Sequence, residues 1–237
     1  SQDKTSQSAP PLWRQLQRTA GVFQAVGQGV SGTAAVDAVP VALRPGVQAL
    51  SFEVLRSLGR AQALRKLLAP RAPPAAADAL LCTSLALLWQ PEAAIYDDFT
   101  LVNQAVEAAK KTPAVQAQAN FINACLRRFL REREVLVGQS ESDTVARWNH
   151  PGWWIKRLQT DWPKAWQAIL QANNQHAPMT LRVNTRRTTR AHYVELLQAV
   201  DLPATPVADS GLQLAQSVAV NKLPGFNDGL SSVQDAA

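Results

Sequence analysis

The sequence changes its hydrophobic period at Pro178-Met179-Thr180-Leu181-Arg182-Val183-Asn184. In this stretch Met179, Leu181 and Val183 alternate with polar side chains, a pattern typical of a strand with one buried face. Before it, apolar residues recur at steps of three and four, which predicts helices. The stretch therefore divides the chain into a helical part and a smaller part that contains a sheet.

A helix and two more strands are predicted after this strand. Thr188 or Thr189 can cap the helix, which should run through Val200. Leu212 and Leu214 begin the second strand, and residues 231–233 begin the third. We expect the helix to bury Tyr193, Leu196, Leu197 and Val200, and the second strand to continue through Val218 and Val220.

The resulting strand–helix–strand–strand module is small to stand alone, because a face or edge of its sheet would stay uncovered. We therefore expect a further domain to follow it.

The preceding part predicts a compact all-helical domain. Residues 76–89 are apolar nearly all round, which predicts a helix at the centre of the bundle. Asp97 or Asp98 can cap the next helix. The other predicted helices cover residues 13–30, 45–58, 64–68, 99–110 and 114–135. The fold class is mainly α, with a disordered tail at 1–11, an all-helical domain at 12–137, a helical connector at 138–177 that opens with a polar hinge at 138–143, and a small α/β subdomain at 178–237.

The charge of the chain favours a polyanionic partner. Its 237 residues carry a formal net charge of +6, and residues 1–140 hold 15 Lys and Arg against 10 Asp and Glu. Residues 141–237 hold 9 against 8. A basic surface suits the phosphates of a nucleic acid. A solvated helical surface that keeps the protein soluble explains the same excess.

Residues that could carry out catalysis are missing from the sequence. It has no glycine-rich phosphate loop and no Ser/His/Asp arrangement, and its three histidines lack metal-ligand spacing. Cys82 and Cys125 lie within apolar helical patterns, so we expect reduced, buried thiols rather than nucleophiles. No apolar run is long enough to span a bilayer, and the polar N-terminus is no signal peptide. We expect a cytoplasmic protein without metal or membrane contact.

The helix after Pro113 carries the clearest candidate site. Amides and guanidiniums recur at steps of three and four, which places them on one face. Arg offers a rigid donor fork to phosphate, and Asn both donates and accepts. An ordinary solvated face, partly neutralised by Glu132 and Glu134, is the alternative. The predicted RNA-binding residues here are Asn120, Asn123, Arg127, Arg128 and Arg131, opposite buried Val115, Ile122, Cys125 and Phe129.

A second basic cluster begins within the first predicted strand and continues after it. Arg182 and Asn184 should share the face opposite Leu181 and Val183, and such a face can hold single-stranded RNA. It lacks the aromatic pairs of an RNA-recognition-motif sheet. An interdomain salt bridge made by Arg182 is the alternative. The predicted RNA-binding residues here are Arg182, Asn184, Arg186 and Arg187, with Arg190 nearby.

The connector is rich in tryptophan, with five of the seven lying between residues 148 and 166. Tryptophans could stack on bases, but at helical spacing they more often pack in a core or join domains. We adopt the packing interpretation for Trp153, Trp162 and Trp166.

Several short motifs, in this order, resemble the bacterial 16S rRNA cytosine-C5 methyltransferases of the RsmB (Sun/Fmu) type. They are FEVLR at 52–56, FINACLRRF at 121–129, HPGWWIKR at 150–157, PMTLRVN at 178–184, LPGF at 223–226 and SVQDAA at 232–237. The resemblance covers nearly everything from Trp13 onward. It implies a NusB-like helical domain followed by a small RNA-binding subdomain.

In that family a Rossmann-like domain follows, which binds S-adenosylmethionine and holds two catalytic cysteines. One thiolate adds to C6 of the cytosine, C5 takes the methyl group, and the second cysteine assists product release. The resemblance implies that this domain lies beyond residue 237, so the chain alone should neither bind the cofactor well nor transfer a methyl group. It places Gln234 and Asp235 near the cofactor pocket of the intact enzyme, and it implies 16S rRNA as partner of a monomer.

Two other functions fit the sequence. A stand-alone NusB-like RNA-binding or transcription regulatory protein would share the helical domain, although such a module is complete without residues 178–237. A helical scaffold whose basic face meets an acidic protein would share the charge.

Overall fold

A computed structural model of the chain describes residues 10–235. The predicted tail lies outside these residues except for its last two positions, as do Ala236 and Ala237 of the last motif. The α-helices are α1 (Leu12–Gly27), α2 (Gly32–Asp37), α3 (Arg44–Arg56), α4 (Leu58–Leu68), α5 (Ala75–Leu88), α6 (Asp98–Lys111), α7 (Ala119–Arg131), α8 (Arg133–Ser140), α9 (Thr144–Trp148), α10 (Gly152–Asp161), α11 (Trp166–Asn173) and α12 (Arg190–Gln198). The strands are β1 (Thr180–Val183), β2 (Ala204–Val207), β3 (Gly211–Leu214) and β4 (Ser231–Val233).

The chain forms two compact units, the first ending at Asn174 and the second beginning at Gln175. The first unit is helical throughout its described residues, and helices α8–α11 cluster with it. The second holds the four strands and α12. The fold class predicted from the sequence, mainly α with a small α/β part, is confirmed.

Helix α5 occupies the centre of the first unit, as its apolar sequence predicted. It is buried on nearly every side and contacts α1, α3, α4, α6 and α7. These neighbours supply fully buried side chains such as Leu16, Leu101 and Phe129. Burying one side chain of this size stabilises the fold by about 1.5–3 kcal/mol, so this layer holds α7 in place.

The single helix predicted over residues 114–135 is wrong. Val115 is buried but precedes a 3₁₀ turn at Gln116–Gln118, and Glu132 leaves helical geometry between α7 and α8, with φ −114° and ψ 18°. The break allows Leu136 to become buried and lets Arg133 bond Asp98, with Nη2 2.6 Å from Oδ1. Tertiary contacts therefore override the continuous helical period.

The polar hinge predicted at 138–143 is wrong at its first three residues, which complete α8. Ser140 is buried, and its hydroxyl accepts a hydrogen bond from the buried Arg60 guanidinium at 2.6 Å. Polarity here marks an internal partner rather than exposure to water.

Two other helices of the first unit differ from the prediction. Helix α4 begins at Leu58 rather than near Leu64, and α2 was not predicted. The hydroxyl of Ser31 caps α2 by accepting from the Ala34 N–H, which offsets the neighbouring glycines.

The second unit is an antiparallel sheet in the order β2-β3-β1-β4, with α12 packed on one face. Leu181 pairs with Leu212 on one side and with Val233 on the other. Strand β2 was not predicted, because Pro203 and Pro206 favoured a turn. Proline is tolerated in β2 because that strand lies at the sheet edge. The core consists of Leu181, Val183, Tyr193, Leu197, Leu202, Leu212, Leu214 and Leu223.

Two predicted extensions in this unit are wrong. Helix α12 stops at Gln198, because Asp201 adopts φ 56° and the Leu202 N–H bonds the Leu197 carbonyl, so Val200 is exposed. Strand β3 ends at Leu214, and residues 220–222 form a 3₁₀ turn instead of a strand.

Candidate nucleic-acid interface

Helix α7 gathers the predicted polar stripe on one outward side. Asn120, Arg127 and Arg131 are exposed and Asn123 is half-buried. The opposite side is fixed in the bundle by its buried residues Ile122, Cys125, Leu126 and Phe129. The apolar residues thus orient the whole row of amides and guanidiniums toward solvent.

The guanidiniums of this stripe differ in their availability. Arg127 Nε donates to Asn123 Oδ1 at 3.0 Å, which orients the side chain and leaves both terminal nitrogens as donors. Arg128 Nε lies 3.2 Å from both carboxylate oxygens of Glu132. Among the described residues, no carboxylate pairs with Arg127 or Arg131. The strongest uncompensated charge on α7 therefore belongs to these two.

The sheet presents a second polar surface, on the side away from α12. Arg182 is exposed there and lies opposite Ser232 and Gly211 in the neighbouring strands. Clefts of about 270 and 470 Å³ adjoin Arg182, and Gln234 lines both. Arg186 lines the larger cleft, and no described carboxylate pairs with either guanidinium. Asp209 and Asp235 line the smaller cleft, whereas no described carboxylate lines the larger one, so the larger cleft can accept an anion.

Two other predicted residues of this cluster make internal contacts. Asn184 Nδ2 donates to the Gly229 carbonyl at 2.9 Å, while its Oδ1 accepts from the Arg186 N–H at 3.2 Å. Arg187 Nη1 donates to the Asp228 carbonyl at 2.7 Å. These bonds hold the turn after β1 against the 225–230 loop. Asn184 thus supports the position of Arg186, and Arg187 keeps only part of its donor capacity.

Gln234 and Asp235 follow β4, where the Gln234 N–H donates to the Thr180 carbonyl at 3.0 Å. Both line the smaller cleft. The described residues do not fit S-adenosylmethionine, whose Rossmann-like site needs a glycine-rich turn between a strand and a helix. The connection from β1 to α12 contains no glycine, and the sheet is antiparallel.

Both thiols are buried, as predicted. Burial raises the pKa of the Cys82 thiol to about 12; the Asp78 carboxylate adds to this rise, while Arg65 opposes it. Burial also raises the pKa of Cys125. Both thiols therefore stay protonated at neutral pH and are poor nucleophiles.

Residues 10–235 contain no group of three or more His, Cys, Asp or Glu placed to hold a metal ion. In the same stretch, no helix combines the length and apolarity needed to cross a membrane.

The packing interpretation of the tryptophans holds for only one of the three. Trp166 is half-buried, with its ring centroid 4.9 Å from that of Trp148 in an edge-to-face contact. Trp153 is 70% exposed and Trp162 is 59% exposed, so packing in a core is wrong for both. The helical period contained the missed signal, since it places Trp153 opposite Ile155 and Leu158.

Comparisons with known proteins agree with this architecture. Residues 150–221 match the ferredoxin-like domain of RsmF/B-like methyltransferases. The chain is 34% identical over 222 residues to ribosomal RNA small subunit methyltransferase B of Vibrio cholerae serotype O1, covering 91% of this chain and 51% of the relative. It is 38% identical over 207 residues to the protein of the same name from Pseudomonas syringae pv. tomato, covering 85% of this chain and 45% of that relative.

A solved structure shares the fold. The crystal structure of PH0851 superposes with a TM-score of 0.59 at 14% identity, covering 96% of this chain and 53% of that one. The resemblance seen in the sequence is therefore confirmed, and the chain spans about half the length of the curated relatives it matches.

Proposed function

We propose that this chain, a relative of the ribosomal RNA small subunit methyltransferase B proteins over 91% of its length, is the RNA-holding part of an S-adenosylmethionine-dependent 16S rRNA cytosine-C5 methyltransferase. Its role is to place the RNA so that the target base reaches a methyl-transfer site formed by residues that this sequence does not include. The chain alone is expected to transfer no methyl group.

The exposed face of α7 is the observation that carries this proposal. Arg127 and Arg131 lie one turn apart with no acidic partner among the described residues, and Asn120 and Asn123 add neutral donors and acceptors beside them. Arginine and asparagine side chains are common contacts to phosphate and sugar oxygens. Each phosphate contact releases counterions, so such a face binds RNA with a marked salt dependence.

The sheet of the second unit supplies a second contact. Arg182 and Arg186 present guanidiniums at the larger cleft, where Ser232 adds a hydroxyl. A guanidinium plane can stack on an exposed base or bond its phosphate. We assign the phosphate-binding role to these two arginines, while Asn184 and Arg187 position the turn that carries Arg186.

The contribution to catalysis is positional. Holding the substrate near the reacting group replaces a bimolecular encounter by an effectively unimolecular step. The two thiols of this chain are buried and protonated, so the nucleophile that attacks the cytosine is supplied elsewhere. The proposed location is the cytoplasm, where the rRNA substrate lies, and the proposed state is a monomer.

A stand-alone NusB-like regulator is not favoured. Its helical module would be complete without the sheet, whereas residues 150–221 of this chain match a methyltransferase-associated domain. A scaffold for an acidic protein would use the charge but would not need the amides on α7.

The proposal is tested by the salt dependence of RNA binding. The double substitution Arg127→Ala and Arg131→Ala should weaken binding of the chain to a 16S rRNA fragment. It should also reduce the slope of log affinity against log salt by about 1.4–1.8, because two phosphate contacts are lost. Fluorescence anisotropy across a series of salt concentrations measures both quantities.

The control is Lys66→Ala with Arg71→Ala, which removes the same charge from an exposed surface outside the proposed footprint. A slope that is unchanged in the α7 variant, or reduced equally in both variants, would exclude α7 as the RNA-binding face.

A further inference from the structure

Helix α10 exposes an aromatic side chain directly opposite its buried side. Ile155 and Leu158 anchor the helix in a cluster with Trp148 and Leu170. Counting 100° per residue, Trp153 lies on the far side of the helix. The side chain of Trp153 is 70% exposed, so most of this large aromatic ring lies in water.

The ring of Trp153 is supported on one side and open on the other. The half-buried Trp154 meets it edge-to-face, with centroids 5.5 Å apart and an interplanar angle of 71°. Trp154 itself packs against the buried cluster of α10 and α11. The cation–aromatic contacts among the described residues leave Trp153 uncapped. An indole with no cation over its ring can stack on a base.

Two cations lie one turn further along the same face. Lys156 and Arg157 are three and four residues after Trp153, positions whose Cβ atoms lie about 5–6 Å from it on a helix. Arg157 Nε bonds Asp161 Oδ2 at 2.6 Å, which leaves its terminal nitrogens as donors. No described carboxylate pairs with Lys156. The face therefore combines one aromatic ring with a net positive charge.

We propose that this face of α10 binds one unpaired nucleotide of the RNA, with its base stacked on Trp153 and a phosphate held by Lys156 and Arg157. The inference rests on the proposed function, since it presupposes an RNA ligand, and it adds a single-strand site separate from α7. A protein partner would need a broader apolar patch, but the other exposed residues on this face of α10 are Lys156, Arg157 and Thr160. An unpaired base, in contrast, can stack on a single aromatic ring.

The test compares a labelled single-stranded RNA of mixed sequence with a duplex of the same strand, both bound to the 237-residue chain. Trp153→Ala should weaken single-strand binding by roughly 5- to 150-fold and change duplex binding little, because a paired base cannot reach the indole. Trp153→Phe should restore most of the affinity. Lys156→Ala with Arg157→Ala should reduce the salt slope for the single strand by about 0.7, because one phosphate contact is lost.

Phe99→Ala provides a matched control. Phe99 is 73% exposed on α6, yet the positions three and four residues later are Val102 and Asn103, so it lacks the cations. Its removal should leave both affinities unchanged. Circular dichroism establishes that each variant is folded.

Equal single-strand binding by wild type and Trp153→Ala, or an equal loss in Phe99→Ala, would overturn the inference. If the α7 double variant still weakens binding in that case, the proposed function stands without the α10 site. If the wild-type chain binds neither RNA, the proposed function fails and the α10 site fails with it.

Discussion

Tyr193 shows at the scale of one residue how the second unit is held together. Its ring is fully buried, its hydroxyl donates to the Pro224 carbonyl at 3.1 Å, and it shares a hydrogen bond with the Ser231 hydroxyl at 2.7 Å. The side chain thus joins α12 to the loop before β4 and to β4 itself. Burial raises the pKa of Tyr193, and the bond to Ser231 partly opposes that rise.

Tyr193→Phe should lower the free energy of unfolding by about 0.5–1.5 kcal/mol at neutral pH, because buried Ser231 and half-buried Pro224 each lose a hydrogen bond. The folded state holds the phenolic proton more tightly than the unfolded state, so wild-type stability falls as pH rises above 10. The phenylalanine variant has no phenol to titrate, so its stability lacks this pH dependence. Above pH 10 the two proteins should therefore differ less in their free energy of unfolding.

Urea unfolding at pH 7 and above pH 10 measures this difference, with Tyr96→Phe as the control for alkaline effects elsewhere. A difference that stays constant with pH would contradict the assigned role of the phenol.

Some residue roles could be predicted and others could not. The stripe on α7 followed from helical spacing alone, because a period fixes which side chains share a face. Asn184 had no such signal, since its partner Gly229 lies 45 residues away in sequence. The local sequence does not distinguish a side chain that bonds a distant backbone group from one that is free to bind a ligand.

At the scale of elements, the contact between α4 and α9 shows why a glycine lies in the first turn of α4. A Cβ on Gly59 would lie 2.5 Å from the Val145 carbonyl oxygen. Asn149 completes the contact in left-handed geometry, with its Oδ1 accepting from the Gly59 N–H at 2.8 Å and its Nδ2 donating to the Leu55 carbonyl at 3.0 Å. The two helices approach closely only because this position has no side chain.

Gly59→Ala should therefore destabilise the chain by about 1–3 kcal/mol, as expected for overpacking against a backbone atom. Gly138→Ala is the matched control, because nothing lies within 4 Å of a Cβ there and α8 would gain up to about 1 kcal/mol in helix propensity. Thermal unfolding followed by circular dichroism compares the two. A Tm that Gly59→Ala leaves unchanged, or lowers no more than Gly138→Ala does, would refute the close approach of α4 and α9.

Elements with strong periodicity were predicted well. The errors arose where an element depends on tertiary contacts that the local sequence does not contain. Helix α5 and strand β1 followed from local pattern, as did a cap of α6 at Asp97 or Asp98. The structure selects Asp97, whose carboxylate accepts from the Thr100 N–H. The break at Glu132 depended on contacts with α4 and α6 that no local pattern carries. Strand β2 depended on its place at the sheet edge, which no propensity scale contains.

At the scale of the whole molecule, the proposed function assigns each unit a different kind of RNA contact. The helical unit offers the unpaired cations of α7 and, by our inference, the indole of α10. The second unit offers the guanidiniums of Arg182 and Arg186 on a polar sheet face. Composition indicated only a basic surface. The motifs and the comparisons showed the similarity to methyltransferases. The structure distinguished guanidiniums that are free to bind a ligand from those that already bond groups of the protein.

The most direct test of the central claim is hydroxyl-radical footprinting of 16S rRNA by the 237-residue chain in the presence of excess heparin. The proposed function predicts protection confined to one region of the RNA that survives the competitor. Protection spread evenly along the RNA, or abolished by heparin, would show that the chain attracts polyanions without holding this RNA.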